Sequence, residues 1–406
     1  MRKHQSIWTS MLLLILVALV AAGCTNSGPG ADYTSAAGSS SDPPAIGQGS
    51  DSEEQPSGEA VDEEVTNPPE APITERISGT VTALRLADDQ TAWIGGEGWI
   101  ARTSDGGATW TTQLEHGFTV DQIFALNDKV AWASLRTGDN QPLKLMHTKD
   151  GGDNWSETGT LPHSGFFHFT SAKEGFSENA HTLDGGKTWT RINVPQSVAF
   201  PPYFHDKDHG WAVTTAHEGS FDFVRTTDGG QTWHVVYSRD TDAPVHGAVI
   251  RSTGQDDAWV QMIGDSGMSQ TSYSLFHLGS DGKWIPVLAH DGAGSGPAPG
   301  FAIQEETGVP RGAGTSPGAL YVVNPEIAFM GGQCMACEDA NTLGKTTDGG
   351  ATWSELEAAW PGYGPQLLAA LDEEHIWLVT TDHEEASALY TSDDGGSSWK
   401  NIYTFE

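Results

Sequence analysis

The chain has 406 residues, of which 54 are Asp or Glu and 20 are Lys or Arg, so its formal net charge at pH 7 is −34. A surface with this charge repels nucleic acid and anionic lipid headgroups, and no clustered basic patch opposes it, which argues against nucleic-acid binding. The repeat region described below, about 330 residues, is ample for one large closed β domain.

Residues 1–23 have the layout of an export signal. The basic segment MRKHQSIWTS precedes the apolar run MLLLILVALV, which is short for a transmembrane helix, and VAAGC then ends at Cys24. This junction resembles a bacterial lipoprotein signal, although Ala21 stands where Leu is more common. The resemblance implies an acylated Cys24 and an extracytoplasmic protein anchored to a bacterial membrane, at the cell surface or in the periplasm. The alternative is an ordinary signal or an uncleaved anchor.

Residues 24–74 are rich in Ser, Gly, Pro, Asp and Glu, and no Lys or Arg occurs between Lys3 and Arg76. Such a segment cannot neutralise its own charge or build a core. We therefore predict a disordered acidic tether, with a root-mean-square span of roughly 40 Å if it behaves as a flexible chain.

Residues 75–406 contain a repeated motif. The stretch TSDGGATW at 103–110 returns with small changes five times, and a degenerate copy, GSDGKW, lies at 279–284. Regular recurrence indicates a repeat architecture. The Asp residues of the seven copies are Asp105, Asp150, Asp184, Asp228, Asp281, Asp348 and Asp394.

A second motif precedes each of these copies. It is a polar turn followed by an aromatic residue, as in DDQTAW, which ends at Trp93, and it also occurs seven times. Each repeat then reads as four strands, with the second strand beginning at that aromatic and the Asp motif between the third and fourth. Short strands without helical periodicity predict an all-β chain, and seven such repeats predict a seven-bladed β-propeller of four-stranded blades.

The Asp motif has the composition of a stabilised turn. Its carboxylate can accept backbone N–H groups a few residues on, its glycines can adopt positive φ, its Thr or Ser hydroxyl can tie the far side of the turn, and its Trp can pack between blades. We interpret the motif as structural, because a ligand-binding residue need not recur in every blade.

These residues resemble the Asp-box, or bacterial neuraminidase repeat, which sialidases, sortilin-type receptors and the photosystem II assembly-factor family share. The paired pattern in GWAVTTAHEGSFDFVRTTDGGQTW is most similar to the assembly-factor family. The resemblance implies a propeller with a scaffold or chaperone-like role. It supplies no binding residues, because that family is expected to present arginines and this chain has few.

Segments that do not repeat are the candidates for binding. The connections 290–318, 333–344, 358–365 and 382–386 are expected on the face opposite the Asp boxes, and exposed aromatics near elaborated loops favour binding. The alternative is that they are tolerated surface insertions. The candidate residues of this binding face are Trp360, Tyr363, Arg311 and His383.

Cys334 and Cys337 form a C-x-x-C pair, and with Cys24 acylated they are the remaining thiols. Outside the cytoplasm such a pair is expected to form a disulfide. A redox site is disfavoured because Glu338 and Asp339 raise the pKa of nearby thiols, and a zinc site lacks further ligands nearby in sequence. Neither a metal site nor a cofactor is predicted.

The alternative function is a sialidase-like glycoside hydrolase. That reading requires an arginine triad and an F/Y-R-I-P motif, whereas this chain has ERIS around Arg76, and Arg102 and Arg225 hold a position that recurs before the boxes. We therefore predict a monomeric, non-catalytic binding or scaffold module for an unidentified envelope protein or glycan, in contact with the membrane through its lipid anchor only.

Overall fold

The computed structural model describes residues 76–405 apart from 216–218, 304, 306, 335–340, 357–359, 361, 363 and 382–385. The chain divides into Met1–Pro68, which lies outside the described residues, and Pro69–Glu406, which contains them. The described residues form 26 β-strands and no α-helix, which confirms the all-β class. None of their segments is a helix with the length and apolarity needed to cross a membrane.

The strands form six antiparallel sheets arranged as a propeller. The first sheet has six strands in chain order, β1 (Val81–Leu86), β2 (Ala92–Thr103), β3 (Thr111–Ala125), β4 (Ala131–Arg136), β5 (Lys144–Thr148) and β6 (Ser156–Thr160). The second has four, β7 (Phe167–Phe169), β8 (Gly175–Ser177), β9 (Ala180–Thr182) and β10 (Thr190–Arg191).

The other four sheets also have four strands each. The third contains β11 (Tyr203–Phe204), β12 (Gly210–Thr214), β13 (Ser220–Thr226) and β14 (His234–Asp240), and the fourth contains β15 (Gly247–Arg251), β16 (Trp259–Gly267), β17 (Gln270–Leu278) and β18 (Trp284–His290). The fifth contains β19 (Ser316–Val322), β20 (Ala328–Gln333), β21 (Asn341–Thr346) and β22 (Ser354–Glu355), and the sixth contains β23 (Gln366–Ala370), β24 (Ile376–Thr380), β25 (Ala388–Ser392) and β26 (Lys400–Thr404).

The number of blades is six, so the prediction of seven is wrong. The first two sequence repeats share the six-stranded sheet. Strand β2 continues through the turn that the sequence predicts between the second and third strands of the first repeat. Strand β3 continues through the predicted boundary between the first and second repeats. The first part of β2 pairs with β1 and its last part pairs with the start of β3, whose own end pairs with β4. Seven sequence repeats therefore form six sheets.

The ring of sheets is closed where the beginning of the described chain meets its end. The N–H of Gly79 donates to the carbonyl of Phe405 at 3.0 Å, and the N–H of Val81 donates to Ser387 Oγ at 3.1 Å. Ile77 and Val81 are buried in one cluster with Trp377 of the last sheet. Hydrophobic burial between β1 and the sixth sheet thus joins the two ends.

Position within a blade decides how apolar a strand is. The strands that contain the repeated aromatic, such as β12 (GWAVT) and β24 (IWLVT), are buried at every residue because neighbouring blades cover both faces. The outer strand β14 (HVVYSRD) is largely exposed. The innermost strand of each repeat faces the centre of the ring.

The six complete Asp boxes have one hydrogen-bond pattern. In the box around Asp228, Thr226 Oγ1 donates to Asp228 Oδ1 at 2.9 Å and accepts the N–H of Gly230 at 2.9 Å. The N–H of Thr232 donates to Asp228 Oδ1 at 2.8 Å, and its hydroxyl donates to Oδ2 at 2.6 Å. Gly229 and Gly230 have φ of 68° and 83°, which a side chain would disfavour. Corresponding bonds surround Asp105, Asp150, Asp184, Asp348 and Asp394.

Asp281 does not have this pattern. Its carboxylate accepts from the backbone N–H of Lys283 at 3.1 Å and from its Nζ at 2.9 Å. The degenerate copy has Gly279 where a complete box has Thr or Ser, so the hydroxyl that ties the turn is missing.

Three of the box Trp residues pack edge-on against the repeated aromatic of the preceding repeat. Trp284 meets Trp211 with ring centroids 5.9 Å apart and planes at 82°, and Trp353 meets Trp259 at 6.5 Å and 87°. Trp110 of the first repeat meets Trp377 of the last at 6.3 Å and 81°. Edge-to-face pairs of buried rings therefore link the blades, including the pair that closes the ring.

The box hydroxyl gives the first testable prediction. Thr226→Val keeps the volume of this buried side chain but leaves the N–H of Gly230 without its acceptor, so we expect the free energy of unfolding to fall by about 1–3 kcal/mol. Urea denaturation measures this change. The exposed neighbour supplies the control, Thr227→Val, and equal midpoints for both variants would contradict the structural role of the hydroxyl.

A second prediction concerns acid pH. The hydroxyl of Thr232, followed by its backbone N–H, lowers the pKa of Asp228 to about 2, below the unfolded-chain pKa of about 3.9. A lowered folded-state pKa stabilises the protein fully above the unfolded value, and this contribution is lost as the pH falls towards 2. We expect the gap in urea midpoint between wild type and Asp228→Asn to shrink from pH 5 to pH 2. Asp240→Asn on the exposed strand β14 controls for loss of one charge, and a gap independent of pH would refute the prediction.

Candidate functional site

The binding face predicted from the sequence is only partly described by the structure. Tyr363 and His383, and the cysteines Cys24 and Cys337, lie outside the described residues. Cys334 is disulfide-bonded, while its pairing with Cys337 stays a prediction.

Trp360 is not an exposed aromatic, so that expectation is wrong. Its side chain is 1% exposed and meets Trp399 edge-on, with centroids 4.8 Å apart and planes at 90°. It belongs to a core cluster with Phe329 and Leu343. The large ring fills the seam between the last two blades, which the surrounding loop sequence does not reveal.

Much of the 290–318 connection packs onto the fourth sheet. Ser274 Oγ donates to the carbonyl of Pro299 at 2.7 Å, Tyr273 Oη donates to that of Gly314 at 2.9 Å, and Phe301 is buried. Arg311 is exposed on this connection. The segment therefore acts largely as a cover for the sheet.

A central cavity of about 550 Å³ lies where the innermost strands meet. All seven sequence repeats contribute to its wall, through β1, the end of β3, β7, β11, β15, β19 and β23. It is lined mainly by the last residues of these strands and by the residues just after them. A volume of this size suits a small ligand or a chain segment.

Most residues that distinguish this cavity occupy one position of the repeat, which we call the ring position. It is the inner-strand residue paired with the repeated aromatic, and it stands eight residues before that aromatic. The seven ring positions are Arg85, Phe124, His168, Tyr203, Arg251, Tyr321 and Ala369, paired with Trp93, Trp132, Phe176, Trp211, Trp259, Phe329 and Trp377. All of them except Ala369 line the cavity.

Two arginines flank an aromatic sector of the wall. The guanidinium of Arg85 lies 4.7 Å from the centroid of Phe124, and that of Arg251 lies 4.1 Å from Phe166. Between them, His168 stacks on Tyr203 with centroids 5.0 Å apart and planes at 8°. Cation–π contacts hold both guanidiniums against the wall without neutralising them.

The titratable groups of this sector are neutral apart from the arginines. Burial is the main cause that lowers the pKa of His168 to about 3, with a smaller contribution from His205, so the imidazole is uncharged at pH 7. Burial raises the pKa of Tyr203 to about 12, and its hydroxyl donates to the carbonyl of Ser252 at 3.1 Å. Burial also lowers the pKa of Arg251, but a guanidinium stays charged at physiological pH.

The charge of the cavity wall is opposite in sign to the net charge of the chain. In a protein of formal charge −34, the described residues that line the central cavity include Arg85 and Arg251 but no Asp or Glu. His168 Nε2 and Arg85 Nε are buried and have no hydrogen-bond partner among the residues that the structure describes. A ligand that carries hydrogen-bonding groups could pair with both atoms.

A smaller cavity of about 180 Å³ adjoins the first and shares Phe166, His168, Tyr203 and Arg251 with it. Its lining includes one carboxylate, Glu178, whose Oε2 lies 3.4 Å from His163 Nδ1. The four shared residues line both cavities.

The central cavity lies near the Asp-box side of the ring. The inner strands that line the cavity end in turns that pack against the Asp boxes. In two of these contacts, the N–H of Gly106 donates to the carbonyl of Gln90 at 3.0 Å, and the N–H of Gly151 donates to the carbonyl of Lys129 at 2.9 Å. The sequence placed the binding face on the opposite side. It missed Arg85 and Arg251, although alignment of the repeats on their aromatics would have placed both at one position.

Comparisons with known proteins support the fold and assign no activity. No protein-family model and no curated protein sequence matches the chain. Among solved structures it resembles the GH74 xyloglucanase from Xanthomonas campestris, at 13% identity and a TM-score of 0.55 over 81% of this chain and 55% of that one.

It also resembles a prolyl endopeptidase, at 10% identity and a TM-score of 0.51 over 81% of this chain and 50% of that one. The BP39L lectin from Burkholderia pseudomallei matches at 10% identity and a TM-score of 0.46, over 82% of this chain and 100% of the lectin. The chain thus spans about half the length of the xyloglucanase and of the peptidase. The shared architecture is the β-propeller, which hosts unrelated activities, and membership of the photosystem II assembly-factor family stays a prediction.

The burial of Trp360 gives a third testable prediction. Trp360→Ala should lower the free energy of unfolding by about 3–5 kcal/mol, because it removes a large ring from a packed seam. Thermal and urea denaturation measure the loss. Leu183→Ala, at a side chain that is 67% exposed, is the control. An unchanged melting temperature for Trp360→Ala would contradict the buried position of Trp360 and support the exposed position expected from the sequence.

Proposed function

We propose that the protein is a non-catalytic binding module, tethered to a bacterial membrane outside the cytoplasm through Cys24 and residues 24–74, and that it holds its partner at the central cavity. The observation that carries this proposal is the pair Arg85 and Arg251, which face the cavity beside aromatic rings and without a carboxylate among the described lining residues. Charged groups held in a pocket and left unpaired favour binding of a complementary group.

The chemistry of the wall favours binding over glycoside hydrolysis. Most glycosidases use two carboxyl groups, one on each side of the scissile bond. The described lining of the two adjoining cavities supplies one, Glu178, and it contacts His163. His168, with a pKa of about 3, and Tyr203, with a pKa of about 12, are both poorly matched to proton transfer near neutral pH.

The partner is an envelope protein or glycan that inserts a small group or a chain segment. A cavity of about 550 Å³ is within the range of small-ligand sites and is too small for a folded domain. The propeller around it supplies a rigid wall, because the ring positions are fixed by strand pairing. The role of the protein is therefore to hold a partner, and the membrane anchor sets where it does so.

Site-specific photo-cross-linking tests this proposal and is the fourth prediction. A photoreactive residue at position 84, in the cavity wall, should form an adduct with the partner in cells of the producing organism. The same residue at position 183, in an exposed box turn, should not. Both variants should melt like wild type, which is the control for folding.

Adducts from position 183 but not from position 84 would place the binding surface elsewhere and contradict the cavity site. Release of product from a panel of glycosides by the purified protein, above the rate of an Arg76→Ala variant, would favour the hydrolase. Arg76 is the residue of ERIS that a sialidase-like reading would require.

A further inference from the structure

We propose that the central cavity binds an amphiphilic carboxylate, meaning an apolar chain that ends in one free carboxylate group. This inference rests on the proposed binding function and specifies the chemistry of the ligand. A peptide end would belong to the proposed protein partner, whereas a fatty acid would take the place of the protein or glycan. A free fatty acid and the C-terminus of an apolar peptide share that chemistry.

The arginines of the cavity differ from the ion-paired arginines of the chain. Arg136 forms a salt bridge with Asp121, Arg225 forms one with Asp256 at 2.6 Å, and Arg239 forms one with Glu305 at 3.7 Å. Arg85 and Arg251 have no carboxylate partner among the described residues. Arg251 Nη1 donates to the carbonyl of Ile250 at 2.8 Å, but this contact does not neutralise its charge. In an acidic protein, two arginines that face a cavity without an ion-pair partner are suited to an anion that the protein itself does not supply.

Both cations act electrostatically on the His168–Tyr203 stack, although they lie on opposite sides of the aromatic sector. The charges of Arg85 and Arg251 each contribute to lowering the pKa of His168 and oppose the burial that raises the pKa of Tyr203. A carboxylate near the His168–Tyr203 stack would therefore be attracted by both guanidiniums. In the tautomer that carries its proton on Nε2, the buried His168 can donate a hydrogen bond to this carboxylate.

The remaining sector of the wall is aliphatic. Going around the ring from Arg251 to Arg85, the cavity is lined mainly by aliphatic residues, Val322, Val323, Leu367 and Leu371, with Tyr321 at the ring position and Gln366 as a polar member. Burial of a hydrocarbon chain against this sector is favourable by about 0.8 kcal/mol for each CH₂ group. A carboxylate alone would leave this surface uncovered, and a neutral apolar ligand would leave both arginines unpaired.

The placement of the two cations, rather than their total charge, favours a carboxylate over a phosphate. A phosphate monoester carries a charge of about −1.5 to −2 at pH 7 and presents three strong acceptor oxygens. The two guanidiniums lie on opposite sides of an aromatic sector, and His168 is uncharged, so the described site has no cluster of cations to match three oxygens. One carboxylate, whose two oxygens can accept from arginine N–H groups, is the simpler match.

Isothermal titration with matched ligand pairs tests the proposal and is the fifth prediction. The protein is the chain from residue 24 onwards with Cys24→Ser, which retains the tether and removes the acylation site. The probes are decanoate against decanamide, and a pentapeptide of Ala, Leu and Val with a free C-terminus against its C-terminal amide. We expect at least one acid to bind roughly 10- to 100-fold more tightly than its neutral partner, in the range for hydrogen bonds to a charged group.

Variants assign the effect to the arginines. Arg85→Gln and Arg251→Gln should each weaken binding of the acid by roughly 10- to 100-fold and leave binding of its neutral partner unchanged, whereas Arg85→Lys should restore part of the loss by restoring the charge. Arg136→Gln, which removes the same charge from the surface, should not change the affinity. Should a glutamine variant fail to fold, the acid-to-amide ratio in wild type and its decrease with added NaCl still test the proposal.

Decanoate binding without peptide binding would identify an acyl chain as the ligand, and the reverse would identify a peptide end. Both outcomes support the shared chemistry. Equal affinities for acid and neutral partner, or no binding of either acid, would overturn it. Cross-linking from position 84 would remain in that case if the proposed binding function is correct with a different ligand, and would be lost if the function itself is wrong.

Discussion

The structure depends on the contacts made by one aromatic side chain per repeat. Trp211 shows the arrangement: it is paired across the strands with Tyr203 at the cavity, lies beneath the Arg225 guanidinium at 4.7 Å, and receives the edge of Trp284 from the next repeat at 5.9 Å. The indole of Trp211 thus sets the register of the inner strand and also fills the interface between two repeats. Because register sets which residues face inward, the composition of the cavity follows from the packing that holds the blades together.

Local chemistry in the sequence was sufficient to predict the strands and the box turns, because both depend on residues close together in the chain. The turn around Asp228 needs its hydroxyl, carboxylate and two glycines within seven positions, and all of them are visible in TTDGGQTW. The number of sheets depends instead on whether the extended backbone ends at each predicted turn or continues through it as one longer strand. Gly98, with φ of 90°, lies inside β2 without ending it, and β3 continues through Gly117. Counting motifs therefore gave one blade too many.

The site was harder to predict for a different reason. The sequence directed attention to segments that do not repeat, such as the loop around Trp360, whereas the distinctive residues occupy one repeated position with different chemistry in each repeat. Arg85, His168 and Arg251 are unremarkable in their own strands and become significant once strand pairing places them around one cavity. Burial of a loop tryptophan is likewise a tertiary property: Trp360 is in the core because Trp399 and Phe329 meet it from two blades.

The charge of the whole protein constrains what the cavity can bind. A formal charge of −34 repels an anion at long range, but the Debye length is about 10 Å at 0.1 M salt, so the outer surface acts weakly on a group already inside the ring. Arg85 and Arg251 act at contact distance, where the described wall has no acid to compete. A small hydrophilic anion would gain only that contact and would meet repulsion on approach. An anion with an apolar chain also gains burial against the aliphatic sector, which offsets the repulsion that both kinds of anion meet on approach, so the cavity favours an amphiphilic ligand over a simple ion.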